Sequence, residues 1–82
     1  MTPNELLLLS KHHHNYRVAE AKAAGDTHTD RVSGDDMVVP FDQLSERLQT
    51  TVARVTLMMY VTQRIPSEVL EAAELELGGK LT

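Results

Sequence analysis

The chain has 82 residues, a net charge of −4 and no cysteine. Its length fits one small domain over residues 1–82, and the lack of cysteine excludes disulfides and thiolate zinc sites. The eight basic residues are scattered singly, which argues against nucleic-acid binding, because phosphate contacts need clustered Lys and Arg. The apolar run over residues 6–9 is too short for a membrane span or a secretion signal, so we expect a cytoplasmic protein.

The first predicted element is a long helix over residues 3–24. Thr2, Pro3 and Glu5 have the pattern of an N-cap, a first helical position and a capping-box carboxylate. Gly25 supplies a C-terminal stop, because glycine readily adopts the left-handed conformation that ends helices. The Ala-rich end of this helix permits close packing against another helix.

Three consecutive histidines, His12, His13 and His14, lie within this helix. Consecutive helical residues point about 100° apart, so the three imidazoles cannot converge on one metal ion. We expect His13 to be partly buried between Leu9 and Tyr16, and the other two histidines to lie in solvent.

Residues 25–40 predict a polar loop, because Asp, Thr, Ser and Gly favour turns. A loop of this length in a small domain is unusual and indicates a functional role. A metal site would have to draw its ligands from here, where Asp26, His28 and Asp30 alternate. We keep this set as an alternative and predict no resident metal or cofactor.

The central helix is predicted over residues 42–65, with Asp42 as its N-cap and Phe41 packing onto its first turn. Its apolar positions follow a 3/4 alternation, as in helices that pack along one another. More apolar surface lies outside this seam than so small a chain would bury, so we predict a homo-oligomer. The predicted interface residues are Leu44, Leu48, Val55, Met58, Met59 and Ile65.

A third, shorter helix is predicted over residues 66–77, where Pro66 interrupts the preceding helix and Gly78 follows the last apolar position. Its apolar residues face inward and its glutamates mostly face outward. The elements together predict an all-α fold: a long N-terminal helix, a polar loop, a long central helix and a short C-terminal helix.

The segment MVVPFDQLSERLQTTVARV resembles the ryanodine-receptor-type repeat domain, a small helical module of calcium-release channels that also occurs in bacterial and phage proteins. The resemblance covers about half of the chain, and the family's tryptophans are missing. The matching residues are Val38, Val39, Pro40, Phe41, Asp42, Leu44, Ser45 and Glu46, with His13, Tyr16, Lys22 and Gly25 matching positions that tend to precede them.

The resemblance implies a non-catalytic ligand-binding or docking module, with prokaryotic members suggested to sense nucleotide-like ligands. The implied pocket lies where the first helix meets the corner at residues 40–42. Tyr16 would stack on a ring, while Arg17 and Lys22 would bind phosphate through charge-assisted hydrogen bonds. The implied ligand-binding residues are His13, Tyr16, Arg17, Lys22, Pro40, Phe41 and Asp42.

These observations favour a small oligomeric module that binds or sequesters a nucleotide-like ligand between its helices, as a bacterial or phage protein would. The alternative is a protein–protein adaptor or inhibitor that docks through its apolar central helix and its acidic third helix. A metal-dependent hydrolase is the third hypothesis. No nucleophile turn or phosphate-binding glycine loop is present, so we do not expect an enzyme and assign no catalytic residues.

Overall fold

The computed structural model describes residues 1–82 and contains three α-helices: α1 (Pro3–Ala24), α2 (Glu46–Val61) and α3 (Ser67–Leu77). A single 3-10 turn, Phe41–Gln43, precedes α2. The only β-type pairing is one isolated antiparallel bridge in the loop. The all-α prediction is therefore confirmed. None of the three helices combines the length and the apolar character needed to cross a membrane.

The two ends of α1 are stabilised by the residues that predicted them. The hydroxyl of Thr2 accepts a hydrogen bond from the backbone N–H of Glu5 at 3.1 Å, and the Glu5 carboxylate accepts one from the N–H of Thr2 at 2.8 Å. Gly25 has a left-handed φ of 73° and closes the last turn. Because all these signals are local, the predicted bounds of α1 agree with the observed ones.

The connecting loop, residues 25–40, is ordered by its own hydrogen bonds. The backbone N–H of Met37 donates to the carbonyl of His28 at 2.8 Å. The Asp30 carboxylate accepts from the backbone N–H of Ser33 at 2.8 Å and from Arg47 of α2 at 2.6 Å. These bonds, that of Ser33 first, lower the pKa of Asp30 to about 2. The loop is thereby tied to α2.

The central helix is shorter at both ends than its sequence pattern predicts. Ser45 is the N-cap, since its hydroxyl accepts from the backbone N–H of Leu48 at 3.3 Å, while Asp42 lies in the separate 3-10 turn. At the other end α2 stops at Val61, and Gln63 takes a left-handed φ of 57° that turns the chain toward α3. The predicted range 42–65 thus comprises a 3-10 turn, a helix and a tight turn.

Helix α1 packs along both α2 and α3, whereas the backbones of α2 and α3 approach each other closely at few positions. The core accordingly divides into two apolar groups. The α3 cluster comprises Leu9, Ile65, Val69 and Ala73, and the corner cluster comprises Phe41, Leu44 and Leu48.

This division of the core leaves only some of the predicted oligomer-interface residues exposed. Leu44, Leu48 and Ile65 are buried inside a single chain, so they cannot form an exposed seam. Met59 is partly buried against the α3 cluster. Among the interface residues that the 3/4 alternation selected, only Val55 and Met58 remain exposed. The alternation marks residues on two sides of the region from Phe41 to Ile65, because that region is not one continuous helix.

Candidate functional site

A pocket of about 420 Å³ lies between α1, the connecting loop and α2. Ligand sites in proteins typically measure about 300–1,000 Å³. Apolar walls come from all three elements, among them Val18, Met37 and Val52. The polar side chains that line it are His13, His14, Arg17, His28, Thr51 and Thr56.

His13 links α1 to α2 at the base of this pocket. Only 4% of it is exposed, and its Nδ1 lies 3.1 Å from the hydroxyl oxygen of Thr56, which is fully buried. Burial lowers the pKa of His13, and the nearby guanidinium of Arg17 lowers it further. The imidazole is therefore held in its neutral form at neutral pH.

His14 links α1 to the connecting loop. Its exposed fraction is 8%, and its Nε2 donates to the carbonyl of Val39 at 2.9 Å. Its ring also meets Phe41 edge-on, with the centroids 6.2 Å apart. Burial lowers the pKa of His14, while the bond to Val39 opposes that shift. The prediction that His14 lies in solvent is wrong, because the loop folds over it.

Two amide side chains fix the corner where the loop enters the 3-10 turn. The Asn15 carbonyl oxygen accepts from the backbone N–H of Phe41 at 3.0 Å. Gln49 of α2 donates to the carbonyl of Phe41 at 3.1 Å and to that of Leu44 at 3.3 Å. Together with His14, these bonds hold the loop against α1 and so keep one wall of the pocket in place.

The charges around the pocket differ from those of the chain as a whole. The sequence has 12 acidic and 8 basic residues, yet no Asp or Glu lines the pocket. Arg17 is a permanent cation there, and three imidazoles and two hydroxyls accompany it. The guanidinium of Arg17 favours an anionic ligand, since it donates to phosphate or carboxylate oxygens, whereas the one N–H of neutral His14 is already donated to Val39.

The structure brings only some of the predicted ligand-binding residues together. His13 and Arg17 line the pocket, while Phe41 is buried beneath His14 in the corner cluster. Tyr16 lies toward α3, where its hydroxyl donates to Glu68 at 3.2 Å and its ring packs on the α3 cluster. The remaining three are exposed and outside the pocket lining: Lys22, Pro40 and Asp42.

The alternative metal set in the connecting loop does not assemble. No group of three His, Cys, Asp or Glu side chains is placed to hold a metal ion. Asp30 is instead bonded to Ser33 and Arg47, and His28 lines the pocket that also contains the guanidinium of Arg17. A neighbouring guanidinium disfavours a bound cation.

Several lining residues were not selected from the sequence, although a signal for some of them was present. His14, Val18 and Ala21 recur at helical spacing with Arg17, which the resemblance already implies, and the four therefore share one stripe of α1. The stripe itself is visible in the sequence. The residues that cover this stripe cannot be identified from the sequence, because His28 and the α2 residues are brought to it by the tertiary fold.

Comparisons of the chain with protein-family models, with curated proteins and with solved structures found no match. The resemblance to the ryanodine-receptor-type repeat domain therefore stays a prediction. The case for function is made by the geometry of the pocket.

Proposed function

We propose that the protein is a non-catalytic binding module that takes a small anionic ligand of nucleotide-like chemistry in the pocket between α1, the connecting loop and α2. The observation that carries this proposal is a lining that contains Arg17 and three histidines but no carboxylate, in a chain of net charge −4. Arg17 binds the phosphate group of the ligand, because a guanidinium can make paired hydrogen bonds to phosphate oxygens. The apolar walls of the pocket contact the base or ring of the ligand.

The test is a calorimetric titration with mononucleotides, cyclic nucleotides, unphosphorylated nucleosides and inorganic phosphate. We expect at least one phosphorylated nucleotide to bind and its nucleoside to bind more weakly. Arg17→Gln removes a charge-assisted hydrogen bond of about 1.5–3 kcal/mol, which corresponds to a tenfold to hundredfold loss of affinity.

Arg31→Gln is the matched control, because it makes the same charge change at an exposed loop position outside the pocket lining. It should leave the dissociation constant within about twofold, since a distant exposed charge is largely screened by salt. The proposal fails if no nucleotide binds at millimolar concentration, or if both variants weaken binding equally.

The second candidate function is a protein–protein adaptor that docks through α2. Exposed apolar side chains favour it, because Leu57, Met58 and Val61 lie on the last two turns of α2 with 42%, 63% and 67% of their surfaces exposed. An exposed apolar patch on a small domain commonly marks a contact site. Failure of every nucleotide in the titration would make the adaptor the better assignment.

A further inference from the structure

Leu75 is the most exposed large apolar side chain of the protein, at 85%. It lies on the face of α3 away from the α3 cluster, one helical turn after Glu71. Glu71 is itself exposed and has no ion-pair partner. This face of α3 therefore presents one apolar side chain beside one free carboxylate.

A hollow of about 460 Å³ lies on another side of the molecule, where the end of α2 turns into α3. Four of its five lining residues are apolar: Tyr60, Val61, Ile65 and Leu70, with Gln63 as the fifth. Arg64 stands between two of these residues in the chain, is exposed, and has no ion-pair partner. Arg64 does not line the hollow, but it is adjacent in the chain to Gln63 and Ile65, which do, and its charge is opposite to that of Glu71.

We propose that the hollow receives Leu75 of a second copy of this chain, with Arg64 of one copy beside Glu71 of the other. Leu70 and Leu75 are five residues apart on α3 and so point about 140° away from each other. One copy therefore presents its hollow and its leucine in different directions. The contact is head-to-tail and produces a ring or a short chain of copies rather than a two-fold pair.

This contact replaces the seam that the sequence pattern predicts. Leu44 and Leu48 are buried inside a single chain and are not available for a contact between copies. The α2–α3 contact instead joins an exposed cation and an exposed carboxylate, neither of which has an ion-pair partner within its own chain.

The experiment is light scattering over a concentration series on the wild type, Leu75→Ser and Val61→Asp. We expect the wild-type mass to rise with concentration. Each variant should raise the dissociation constant tenfold or more, because one loses the leucine and the other places a charge at the hollow. An equimolar mixture of the two should recover a dimer, because one variant keeps its hollow and the other keeps its leucine.

Val32→Ser is the matched control, since Val32 is 84% exposed in the connecting loop, away from both surfaces. It should associate as the wild type does. Circular dichroism confirms that each variant is folded. The proposal is overturned if the wild type stays monomeric to millimolar concentration, if either variant associates normally, or if the mixture of folded variants stays monomeric.

A charge exchange provides a second readout that leaves the apolar residues intact. Arg64→Glu and Glu71→Arg should each weaken association a few-fold, the range for an exposed ion pair. The chain that carries both changes should recover the wild-type dissociation constant. A double variant weaker than either single one would overturn the assigned pair.

Discussion

His12, His13 and His14 each contact a different element, although they are consecutive in the chain. His12 Nε2 lies 3.1 Å from Glu76 of α3, His13 Nδ1 the same distance from Thr56 of α2, and His14 Nε2 donates to Val39 of the loop. The 100° step of the helix produces this division. The geometry that prevents a shared metal ion thus lets three adjacent side chains join α1 to the rest of the fold.

We expect His14 to make stability depend on pH. Its pKa is lowered in the folded state by burial, so the unfolded chain binds protons more readily than the native one below about pH 6.5. Stability is therefore full above that pH and falls as the pH is lowered. His14→Gln, which keeps a donor for Val39, should reduce this slope by up to about 1.4 kcal/mol per pH unit.

Urea unfolding between pH 7.5 and 5.0 measures that slope. This window lies above the range in which the carboxylates with lowered pKa values, such as Asp30, take up protons. His28→Gln is the control, because His28 is exposed and its removal takes away no buried imidazole. An unchanged slope in His14→Gln would contradict the assignment.

At the scale of elements, the beginning of α2 is a place where local sequence alone does not predict the structure. Asp42 and Ser45 are both good N-cap residues and stand three positions apart. Ser45 is the cap because Leu44, with an extended backbone (φ −76°, ψ 147°), is buried in the corner cluster and interrupts the helix. By contrast, Thr2, Glu5 and Gly25 define α1 with no help from distant residues.

Ser45→Ala should lower the free energy of unfolding by about 1 kcal/mol, because the N–H of Leu48 loses its acceptor. Asp42→Ala is the comparison and should change stability by no more than about 0.5 kcal/mol, the usual range for a surface substitution. Urea denaturation of the two variants beside the wild type measures both values. A larger loss of stability in Asp42→Ala than in Ser45→Ala would show that Asp42, and not Ser45, is the N-cap of α2.

The two sides of the candidate pocket also differ in how far local sequence predicts them. The α1 side of it, with His14, Arg17 and Val18, is one helical stripe that the sequence displays. The opposite side is brought there by the bonds of Val39, Phe41 and Asp30 to residues far away in the chain. Periodicity within one helix cannot reveal such pairings. The resemblance, and not periodicity, implies that Tyr16 lies in the pocket, whereas its side chain faces α3.

At the scale of the whole molecule, the division of the core matters most for stability. The corner cluster and the α3 cluster have no member in common, and the buried pair of His13 and Thr56 adds a polar contact between α1 and α2. Helix α1 contacts the 3-10 turn, α2 and α3. We therefore expect the two clusters to unfold together, because losing α1 would expose both.

Leu9→Ala and Leu48→Ala test this cooperativity, since each removes a fully buried side chain from one cluster. Each should cost about 3 kcal/mol, a large part of the roughly 4–12 kcal/mol expected for a chain of this length. Both tyrosines, Tyr16 and Tyr60, pack on the α3 cluster, and the chain has no tryptophan. Tyrosine emission therefore reports the α3 cluster, whereas far-UV circular dichroism reports all helices.

For both variants we expect the two signals to change at the same urea concentration. In Leu48→Ala the damage lies in the corner cluster, so tyrosine emission can shift only if the loss is transmitted through α1. A helix signal that falls at lower urea than the tyrosine signal in this variant would show that the corner unfolds alone. The pocket, whose loop wall rests on that corner, would then be a locally unstable site rather than part of one cooperative unit.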